Sequence, residues 1–455
     1  MTPSASPPRK RIAVVGAGIA GLAAAWMLSR RHHVVLYEAN AYFGGHTNTV
    51  DVTLDGVTHP VDTGFLVFNH RTYPNLVALF KFLAVETAAS EMSFAVSLGD
   101  AADPGLEWSG CDAGSLFAQK RNLLRPGFWG MLRDIMRFNK AATAMARSGD
   151  AGAAGAQSLA DFLDKGRYGG TFREAYLLPM IGAIWSCPTE TMLGYPVATL
   201  ARFCDNHGLL QISNRPQWYT VKGGGREYVK KLVAGIGHVH AGTAVRSVSR
   251  TAAGVQVLTA TGGETFDEVV MACHSDQALR LIDNPSEDVR EVLSAVGYQR
   301  NRAVLHTDIT LLPRARKAWA AWNYLAPRAA TDRSPVGVSY WLNRLQPLPF
   351  KRPVIVTLNP PRDPDPASVI ALFDYEHPVF DLAAIRAQQR LPGIQGRDGL
   401  WFCGAWCGYG FHEDGLKSAL AVVNAMGVRA PWQSGTEAGP PPQSVAPAAL
   451  EMSAG

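Results

Sequence analysis

A glycine-rich turn near the start of the chain limits the possible folds more than any other feature of the sequence. Arg11–Val15 is an apolar run typical of a buried strand, and Gly16–Gly21 has the sequence G-A-G-I-A-G. Leu22–Arg30 predicts a helix, and Val34–Glu38 predicts a second strand. Because strand, turn, helix and strand follow one another within about 30 residues, the segment predicts the βαβ unit of a dinucleotide-binding domain.

The three glycines of the turn have separate tasks in such a unit. Gly16 permits the tight turn, Gly18 lets the backbone contact a pyrophosphate, and Gly21 lets helix and strand pack closely. The pyrophosphate lies on the helix N-terminus, where free N–H groups favour negative charge. Glu38 follows Gly16 by 22 residues and can accept hydrogen bonds from an adenosine ribose. The cofactor-binding residues predicted in this segment are Gly16, Gly18, Ile19, Ala20, Gly21, Glu38 and Ala39.

The composition sets the broad class of protein. A chain of 455 residues has room for two or three domains. A net charge of +5 is too small for a nucleic-acid-binding protein, and 47% hydrophobic against 18% charged residues indicates large buried or lipid-facing surfaces. The six cysteines lack metal-binding spacing, so we expect no metal site, and no apolar run is long enough to span a membrane. We therefore expect a cytoplasmic protein.

Two further motifs identify a resemblance. Gly44–Val50 reads GGHTNTV and Val61–Asn69 reads VDTGFLVFN. With these motifs after the glycine turn, the chain resembles the flavin amine oxidase and phytoene desaturase superfamily over roughly residues 11–430. Within it, the chain is most similar to the predicted NAD/FAD-binding proteins associated with cyclopropane-fatty-acid synthases. The resemblance implies FAD as the cofactor and adds six binding residues, which are Gly44, Gly45, His46, Asp62, Thr63 and Gly64.

The chain departs from the amine oxidases beside the glycine pair. Basic residues flank the pair in those enzymes, whereas Tyr42 and His46 stand in these places here. Contacts from arginines to the cofactor phosphates are therefore not expected at these two positions.

Two later segments resemble other parts of the superfamily's cofactor site. Tyr219–Arg226 predicts a strand and a second glycine turn, and Ala244–Ser249 predicts a further strand. The resemblance implies that Val245 lies against the adenine through its backbone. Near the C-terminus, a buried strand ends at Gly404, and a helix is predicted from Leu416. The residues expected on FAD here are Gly404, Glu413, Asp414 and Gly415, although a helix N-cap alone would also explain Asp414.

The fold class implied is α/β, with a Rossmann-like, GR2-type FAD-binding domain assembled from discontinuous segments and a mixed α+β substrate domain. Residues 11–90, 216–300 and 396–430 are assigned to the FAD-binding domain, and residues 91–215 and 301–395 to the substrate domain. Residues 1–10 and 434–455 have no apolar face to bury, so both ends are expected to be disordered.

One candidate catalytic residue follows from the resemblance. Amine oxidases have a lysine that supports the flavin N5 atom through water, and the matching stretch Ala303–Asp308 has His306 at that position. A histidine would titrate near neutrality beside the flavin. The alternative is a hydrogen-bonded core histidine. Phe350–Trp401 contains no cysteine that could attach the flavin, so noncovalent FAD is expected.

A basic segment suggests a lipid surface. Lys120–Lys140 carries six basic residues and one acidic residue with aromatic and apolar residues between them. Such a segment can lie on an anionic bilayer at the inner face of the membrane, or it can be an ordinary helix with a solvated basic face.

These observations predict an FAD-dependent oxidoreductase that acts on unsaturated or methyl-branched fatty acyl chains, by hydride transfer to flavin N5. The substrate would be a fatty acid or phospholipid, and a lipid methyltransferase or cyclopropane synthase would be a partner. Three alternatives stay open: a flavin amine oxidase, a fatty-acid double-bond isomerase and a non-catalytic flavoprotein that serves a lipid-modifying enzyme.

Overall fold

The computed structural model describes residues 8–99, 105–148, 157–185, 192–211, 215–326 and 337–433. Its strands are β1 (Arg11–Val15), β2 (His33–Tyr37), β3 (Thr49–Leu54), β4 (Val57–Asp62), β5 (Phe68–Asn69), β6 (Thr87–Ser90), β7 (Phe94–Leu98), β8 (Leu106–Ser109), β9 (Trp218–Val221), β10 (His238–His240), β11 (Ser247–Thr251), β12 (Gly254–Thr259), β13 (Gly262–Phe266), β14 (Glu268–Met271), β15 (Gly297–His306), β16 (Trp322–Ala326), β17 (Gly337–Trp341), β18 (Ile355–Leu358), β19 (Val369–Val379) and β20 (Leu400–Phe402).

The α-helices within the described residues are α1 (Ile19–Leu28), α2 (Pro74–Phe82), α3 (Ala113–Leu116), α4 (Pro126–Arg147), α5 (Leu159–Lys165), α6 (Gly170–Phe172), α7 (Leu178–Trp185), α8 (Val197–Asn206), α9 (Arg226–Val233), α10 (Ser275–Leu281), α11 (Glu287–Ser294), α12 (Leu342–Leu345), α13 (Leu382–Arg390) and α14 (His412–Ala425). A π-helical turn at Arg173–Leu177 joins α6 to α7.

A five-stranded parallel sheet forms the first half of the fold. Its order is β10-β2-β1-β14-β20, so strands from three distant parts of the sequence lie side by side. Every residue of α1 is buried, because the helix is apolar on all sides and packs between the sheet, α14 and α9. This arrangement confirms the predicted α/β fold with a domain built from discontinuous segments.

A seven-stranded mixed sheet forms the second half. Its order is β19-β15-β18-β17-β16-β7-β8, and all neighbours are antiparallel except the parallel pair of β16 and β7. The long strand β15 begins at Gly297, so the domain boundary predicted at residue 300 falls inside a strand. Helices α3 to α8 pack beside this sheet, and their apolar side chains belong to the larger of the two cores.

Three predicted element boundaries are wrong. The helix after the first glycine turn is predicted over Leu22–Arg30 but spans Ile19–Leu28. The C-terminal helix is predicted from Leu416 but begins at His412, because a side chain inside its first turn closes the N-terminus. The strand expected around Val245 begins only at Ser247. Within the described residues, no helix is long and apolar enough to cross a membrane. Residues 1–7 and 434–455, for which disorder is predicted, lie outside the described residues.

Candidate functional site

The turn between β1 and α1 leaves one glycine facing open space. Gly16 has a φ of +101°, which L side chains rarely adopt. A Cβ atom on Gly21 would lie 1.9 Å from the Gly16 carbonyl oxygen, so α1 can pack on the turn only with glycine there. By contrast, a Cβ atom on Gly18 would have no heavy atom within 4 Å. Since Gly18 is the N-cap of α1 and no side chain caps that helix, the free N–H groups face a space suited to an anion.

Glu38 holds its carboxylate beside this turn. Its Oε2 atom accepts the N–H of Ala17 at 2.8 Å, and Oε1 accepts the N–H of Asn40 at 2.8 Å. The Glu38 carbonyl accepts the N–H of Thr243, also at 2.8 Å. Val245, which is buried, comes two residues after Thr243. The structure thus brings Glu38, the adjoining Ala39 and the segment of Val245 to the carboxyl end of β2.

The glycine pair lies directly against the turn. The N–H of Gly44 donates to the Ala17 carbonyl at 2.8 Å. A Cβ atom on Gly45, where φ is +58°, would lie 3.1 Å from the Cα atom of Gly18. The backbone of the glycine pair therefore lies against Ala17 and Gly18, and the next residue is His46.

Asp62, at the end of β4, connects three segments through its carboxylate. Its Oδ1 atom accepts the Thr49 hydroxyl and the N–H of Gly225, the latter at 2.8 Å, and Oδ2 accepts Nε2 of Gln346 at 2.6 Å. Burial raises the pKa of Asp62 to about 6. The side chain thus fastens the second glycine turn to the β3–β4 hairpin, and its assignment to the cofactor stays a prediction.

Thr63 and Gly64 pack against the segment that follows the glycine pair. A Cβ atom on Gly64 would lie 2.2 Å from the His46 carbonyl oxygen, so only glycine fits. The Thr63 hydroxyl donates to the Asn48 carbonyl at 3.0 Å and lies 2.8 Å from the Tyr375 hydroxyl. These contacts set the position of the His46 backbone and of the Tyr375 ring.

Three imidazole rings meet between the glycine pair and the seven-stranded sheet. The centroid of the His46 ring lies 5.2 Å from that of His377 and 6.5 Å from that of His274, and it stacks on Tyr375 at 5.1 Å. Burial lowers the pKa of His46 well below its ordinary value and lowers that of His377 to about 4. The rings of His46 and His377 are therefore neutral at neutral pH. No group of three or more His, Cys, Asp or Glu within the described residues can hold a metal ion.

The sequence predicted only one member of this cluster. His46 is part of a motif, whereas His274 and His377 are single histidines in unremarkable sequence and arrive here through the tertiary fold. The Nε2 atom of His46 is buried and has no hydrogen-bond partner within the described residues. A buried nitrogen without a protein partner is expected to face a ligand or a water molecule.

The two acidic residues at the start of α14 have protein partners. Oε1 of Glu413 accepts both nitrogens of Asn75, and Oε2 accepts the N–H of Leu76 at 3.0 Å, so this carboxylate caps α2. Oδ2 of Asp414 accepts the N–H of Phe411 at 3.1 Å, which caps α14 itself. Burial raises the pKa of Asp414 to about 6. Both side chains have a structural task, and their contact with the flavin stays a prediction.

The glycines of the C-terminal segment bring α14 against α1. A Cβ atom on Gly415 would lie 2.9 Å from Cγ2 of Ile19 and 3.8 Å from Cβ of Ala20. The N–H of Gly404 donates to the Ser418 hydroxyl of α14 at 2.9 Å. The N-termini of the two helices therefore meet beside the open space at Gly18.

His306 is a fully buried residue of β15 with both ring nitrogens hydrogen-bonded. Nδ1 accepts the N–H of Asp308 at 3.0 Å, so the neutral ring carries its proton on Nε2, which lies 2.8 Å from the Thr357 hydroxyl. Burial lowers the pKa of His306 to about 4. The expectation of a group that titrates near neutrality is therefore wrong. These contacts are those of a core histidine, and the catalytic role of His306 stays a prediction.

Replacement of His306 by glutamine tests the core assignment, because Gln can keep both hydrogen bonds but cannot titrate. The ordinary pKa of 6.5 applies to the unfolded chain and about 4 to the folded one, so the unfolded state binds more protons between these pH values. Stability therefore falls as pH falls through this window. We expect His306→Gln to reduce that loss by about 2–3 kcal/mol, measured by denaturant unfolding at neutral and acidic pH. Equal acid sensitivity of both proteins would contradict this.

Comparison with protein families identifies the chain. Residues 19–305, more than half of the chain, match the family of flavin containing amine oxidoreductases. The chain belongs to this family. It is an FAD-dependent oxidoreductase. No curated protein sequence matches the chain.

Solved structures share the fold of this flavin oxidoreductase at low sequence identity. The CLA-producing fatty acid isomerase from P. acnes is 14% identical with a TM-score of 0.63, and the match covers 92% of this chain and 99% of that chain. Putrescine oxidase bound to putrescine is 15% identical with a TM-score of 0.63 and coverages of 92% and 99%. Cyclohexylamine oxidase from Brevibacterium oxydans IH-35A is 15% identical with a TM-score of 0.65 and coverages of 92% and 100%.

The residues of this flavin oxidoreductase fit a dinucleotide. Gly18 leaves a space that a side chain would fill, and the N-terminus of α1 supplies N–H donors to it. His46 directly follows the glycine pair that lies against the same turn, and its buried Nε2 atom has no hydrogen-bond partner within the described residues. Glu38 stands at the end of β2, where a ribose is bound in such folds.

Proposed function

We propose that this flavin oxidoreductase acts on a fatty acyl chain, unsaturated or methyl-branched, and binds FAD noncovalently. The observation that carries this proposal concerns the buried carboxylates. An amine substrate needs an anionic or aromatic partner for its ammonium group, whereas an acyl chain needs an apolar wall.

Five carboxylates are buried within the described residues, and each accepts hydrogen bonds from the protein. These residues are Glu38, Asp62, Glu107, Asp134 and Glu413. Each of these carboxylates is held by protein donors, and Glu38 is assigned to the ribose, so an ammonium group would have to share its acceptor with protein N–H groups. Amine recognition would then depend chiefly on aromatic rings.

An aromatic wall adjoins the C-terminal flavin segment. The rings of Trp185 on α7 and Phe203 on α8 lie 4.5 Å apart between centroids. Phe203 also stacks on Phe411 at 5.3 Å and meets Tyr409 at 5.7 Å, both in the turn before α14. Helices α7 and α8 thus place aromatic rings against this segment. Trp185 and Phe203 are buried, so the half-buried rings of Tyr409 and Phe411 would present the apolar surface to an acyl chain. An ammonium group would meet the same rings, so the amines in the substrate test below are the deciding comparison.

In this proposal, the residues of the chain bind and orient the cofactor and the substrate and form no bond with either. The N-terminus of α1 at Gly18 would hold the diphosphate, and Glu38 would hold the ribose. Bound flavin supplies the hydride acceptor at N5. The half-buried rings of Tyr409 and Phe411 would face the substrate and align one of its C–H bonds with that atom. We assign no proton transfer to His306 in this proposal, since its Nδ1 atom already accepts the N–H of Asp308 and its Nε2 atom faces the Thr357 hydroxyl.

The cysteines support noncovalent binding. Cys403 and Cys407 lie in the C-terminal flavin segment, and burial raises the pKa of both thiols. Thiols that stay protonated at neutral pH are poor nucleophiles. We expect acid precipitation to release all of the flavin into the supernatant, and flavin retained on the precipitated chain would contradict this.

Anaerobic mixing of the purified holoprotein with candidate substrates tests the reaction. We expect an unsaturated or methyl-branched fatty acid to remove the absorbance of oxidised flavin, whereas putrescine and cyclohexylamine leave it unchanged. Reduction by an amine but not by a fatty acid would overturn the proposal. No reduction by any substrate, with unchanged lipid, would indicate a non-catalytic flavoprotein.

Double-bond isomerisation is a second candidate, which the structural similarity to a fatty acid isomerase favours. In that case the hydride returns to the chain, so the double bond moves without net loss of oxidised flavin, and lipid analysis of the same mixture separates the two reactions. We also infer a role in lipid modification beside a cyclopropane synthase or lipid methyltransferase. The motifs at Gly44–Val50 and Val61–Asn69 support this role.

A further inference from the structure

One short segment exposes an unusual amount of apolar surface. In the 3₁₀ turn Lys120–Leu124, the exposed fraction of Leu124 is 87% and that of Leu123 is 48%. In the adjoining α4, Trp129 is 50% and Met136 is 56% exposed. Large apolar side chains exposed next to one another are typical of an interaction surface.

The outward face of α4 alternates apolar and basic residues. Trp129, Arg133, Met136 and Lys140 are spaced by three or four positions, so they form one stripe along the helix. The opposite side packs into the core through Phe128, Met131 and Phe138, which are buried. The helix is thus fixed by its inner face. On its outer face, Trp129 contacts the adjoining segment through the Phe117 ring and donates its indole N–H to the Leu123 carbonyl at 3.0 Å, while half of its surface stays exposed. We call the exposed residues of both elements the basic–apolar face: Lys120, Arg121, Leu123, Leu124, Trp129, Arg133, Met136 and Lys140.

Apart from a distant pair at Arg133, the basic residues of this face have no acidic partner within the described residues. Arg121 donates to the carbonyl of Gly105, an uncharged acceptor. The one acid of the segment, Asp134, points inward: it is 2% exposed, pairs with Arg137 at 2.7 Å and accepts the N–H of Gly169 at 2.9 Å. Arg133 approaches it only at 3.5 Å and keeps its charge toward solvent.

We propose that the basic–apolar face docks the protein on an anionic lipid bilayer. Leu123, Leu124 and Trp129 would enter the headgroup region, where tryptophan is favoured, and the surrounding basic residues would attract anionic lipids. Two independent properties, apolar exposure and uncompensated charge, coincide on one face. The inference goes beyond the proposed function, since it concerns where the protein works and holds whether or not the acyl substrate is confirmed.

Vesicle sedimentation with the holoprotein tests the docking. Vesicles of phosphatidylcholine with about one quarter phosphatidylglycerol should retain the protein at low salt, and about 0.5 M salt should release most of it, because exposed charges are then screened. Pure phosphatidylcholine should retain at least about tenfold less. No retention on either vesicle, or equal retention on both, would overturn the proposal.

Substitutions in the basic–apolar face test whether this face makes the contact with the vesicles. We expect Lys120→Gln with Arg121→Gln and Arg133→Gln to lower retention at least about tenfold, since about 1 kcal/mol is attributed to each basic residue at a surface. Leu123→Gln with Leu124→Gln should do the same. The matched controls replace the same number of exposed basic residues at Arg280, Arg290 and Lys317, and two exposed leucines elsewhere on the surface, Leu372 and Leu382. Flavin content verifies folding of each variant. Controls that lose as much binding as the variants would overturn the assignment.

Discussion

A Gly18→Val variant is expected to fold and to emerge from purification without flavin. The φ of Gly18 is −69°, which any residue adopts, and a Cβ atom there meets no heavy atom within 4 Å. The added side chain therefore strains nothing in the protein but fills the space where the diphosphate would lie. We expect an affinity for FAD at least about a hundredfold weaker, since steric overlap in a packed site costs several kcal/mol. Titration of the apoprotein with FAD, followed by flavin fluorescence, measures it.

Two glycines are suitable controls for this variant. Gly237 is exposed, and a Cβ atom there would also have no heavy atom within 4 Å, so Gly237→Val should keep its flavin. Gly21 has no room, because a Cβ atom would lie 1.9 Å from the Gly16 carbonyl oxygen, so Gly21→Val should fail to fold. If Gly18→Val retained a full complement of flavin, the diphosphate would have to bind away from this turn.

The glycine turn could be predicted because its geometry depends on neighbours in sequence. Gly16, Gly18 and Gly21 lie within six residues, and each has the local environment that its spacing implied. The parallel sheet could be predicted for the same reason, since each contributing segment carries its own motif. A resemblance of local motifs was thus enough to assemble a domain from distant parts of the chain.

The acids of the C-terminal segment show where this reasoning fails. The partners of Glu413 are Asn75 and Leu76, 338 and 337 residues away, and no local pattern could reveal that this carboxylate caps a distant helix. The early start of α14 was also hidden, because Phe411 is not a usual N-cap residue and the cap comes from Asp414 within the helix. From the sequence alone, nothing distinguishes Glu413 and Asp414 from residues that bind the flavin.

The histidine cluster was missed for a related reason. His274 follows β14, and His377 lies on β19 of the other sheet, so they approach His46 only when the two sheets pack. No spacing in the sequence relates the three residues. Conversely, the position of His306 in a motif suggests a chemical role, whereas its burial and its two hydrogen bonds become visible only in the structure.

Removal of the Asp62 carboxylate is expected to lower the free energy of unfolding more than the substitution of His306 or Asp51. In Asp62→Ala, the Thr49 hydroxyl, the N–H of Gly225 and the amide of Gln346 would lose their buried acceptor. Each unsatisfied buried donor costs about 1–3 kcal/mol, and partial relaxation reduces the sum, so we expect a loss of about 3–5 kcal/mol. For a chain of this size, the midpoint of thermal denaturation should fall by roughly 5–10 °C, with FAD at the same saturating concentration for both proteins.

A second aspartate in the same hairpin tests whether Asp62 stabilises the fold through its buried hydrogen bonds or only through its charge. Asp51 lies on β3 and pairs with Arg226 at 2.6 Å, but its side chain is half exposed. Exposed ion pairs contribute little, so Asp51→Ala should lower the free energy of unfolding by no more than about 1 kcal/mol. Equal effects of the two substitutions would mean that Asp62 acts by its charge and not as a buried acceptor. The double variant Asp62→Asn with Gln346→Glu exchanges donor and acceptor between the two side chains. It should be more stable than Asp62→Asn alone, because the contact between the two side chains again joins a donor to an acceptor.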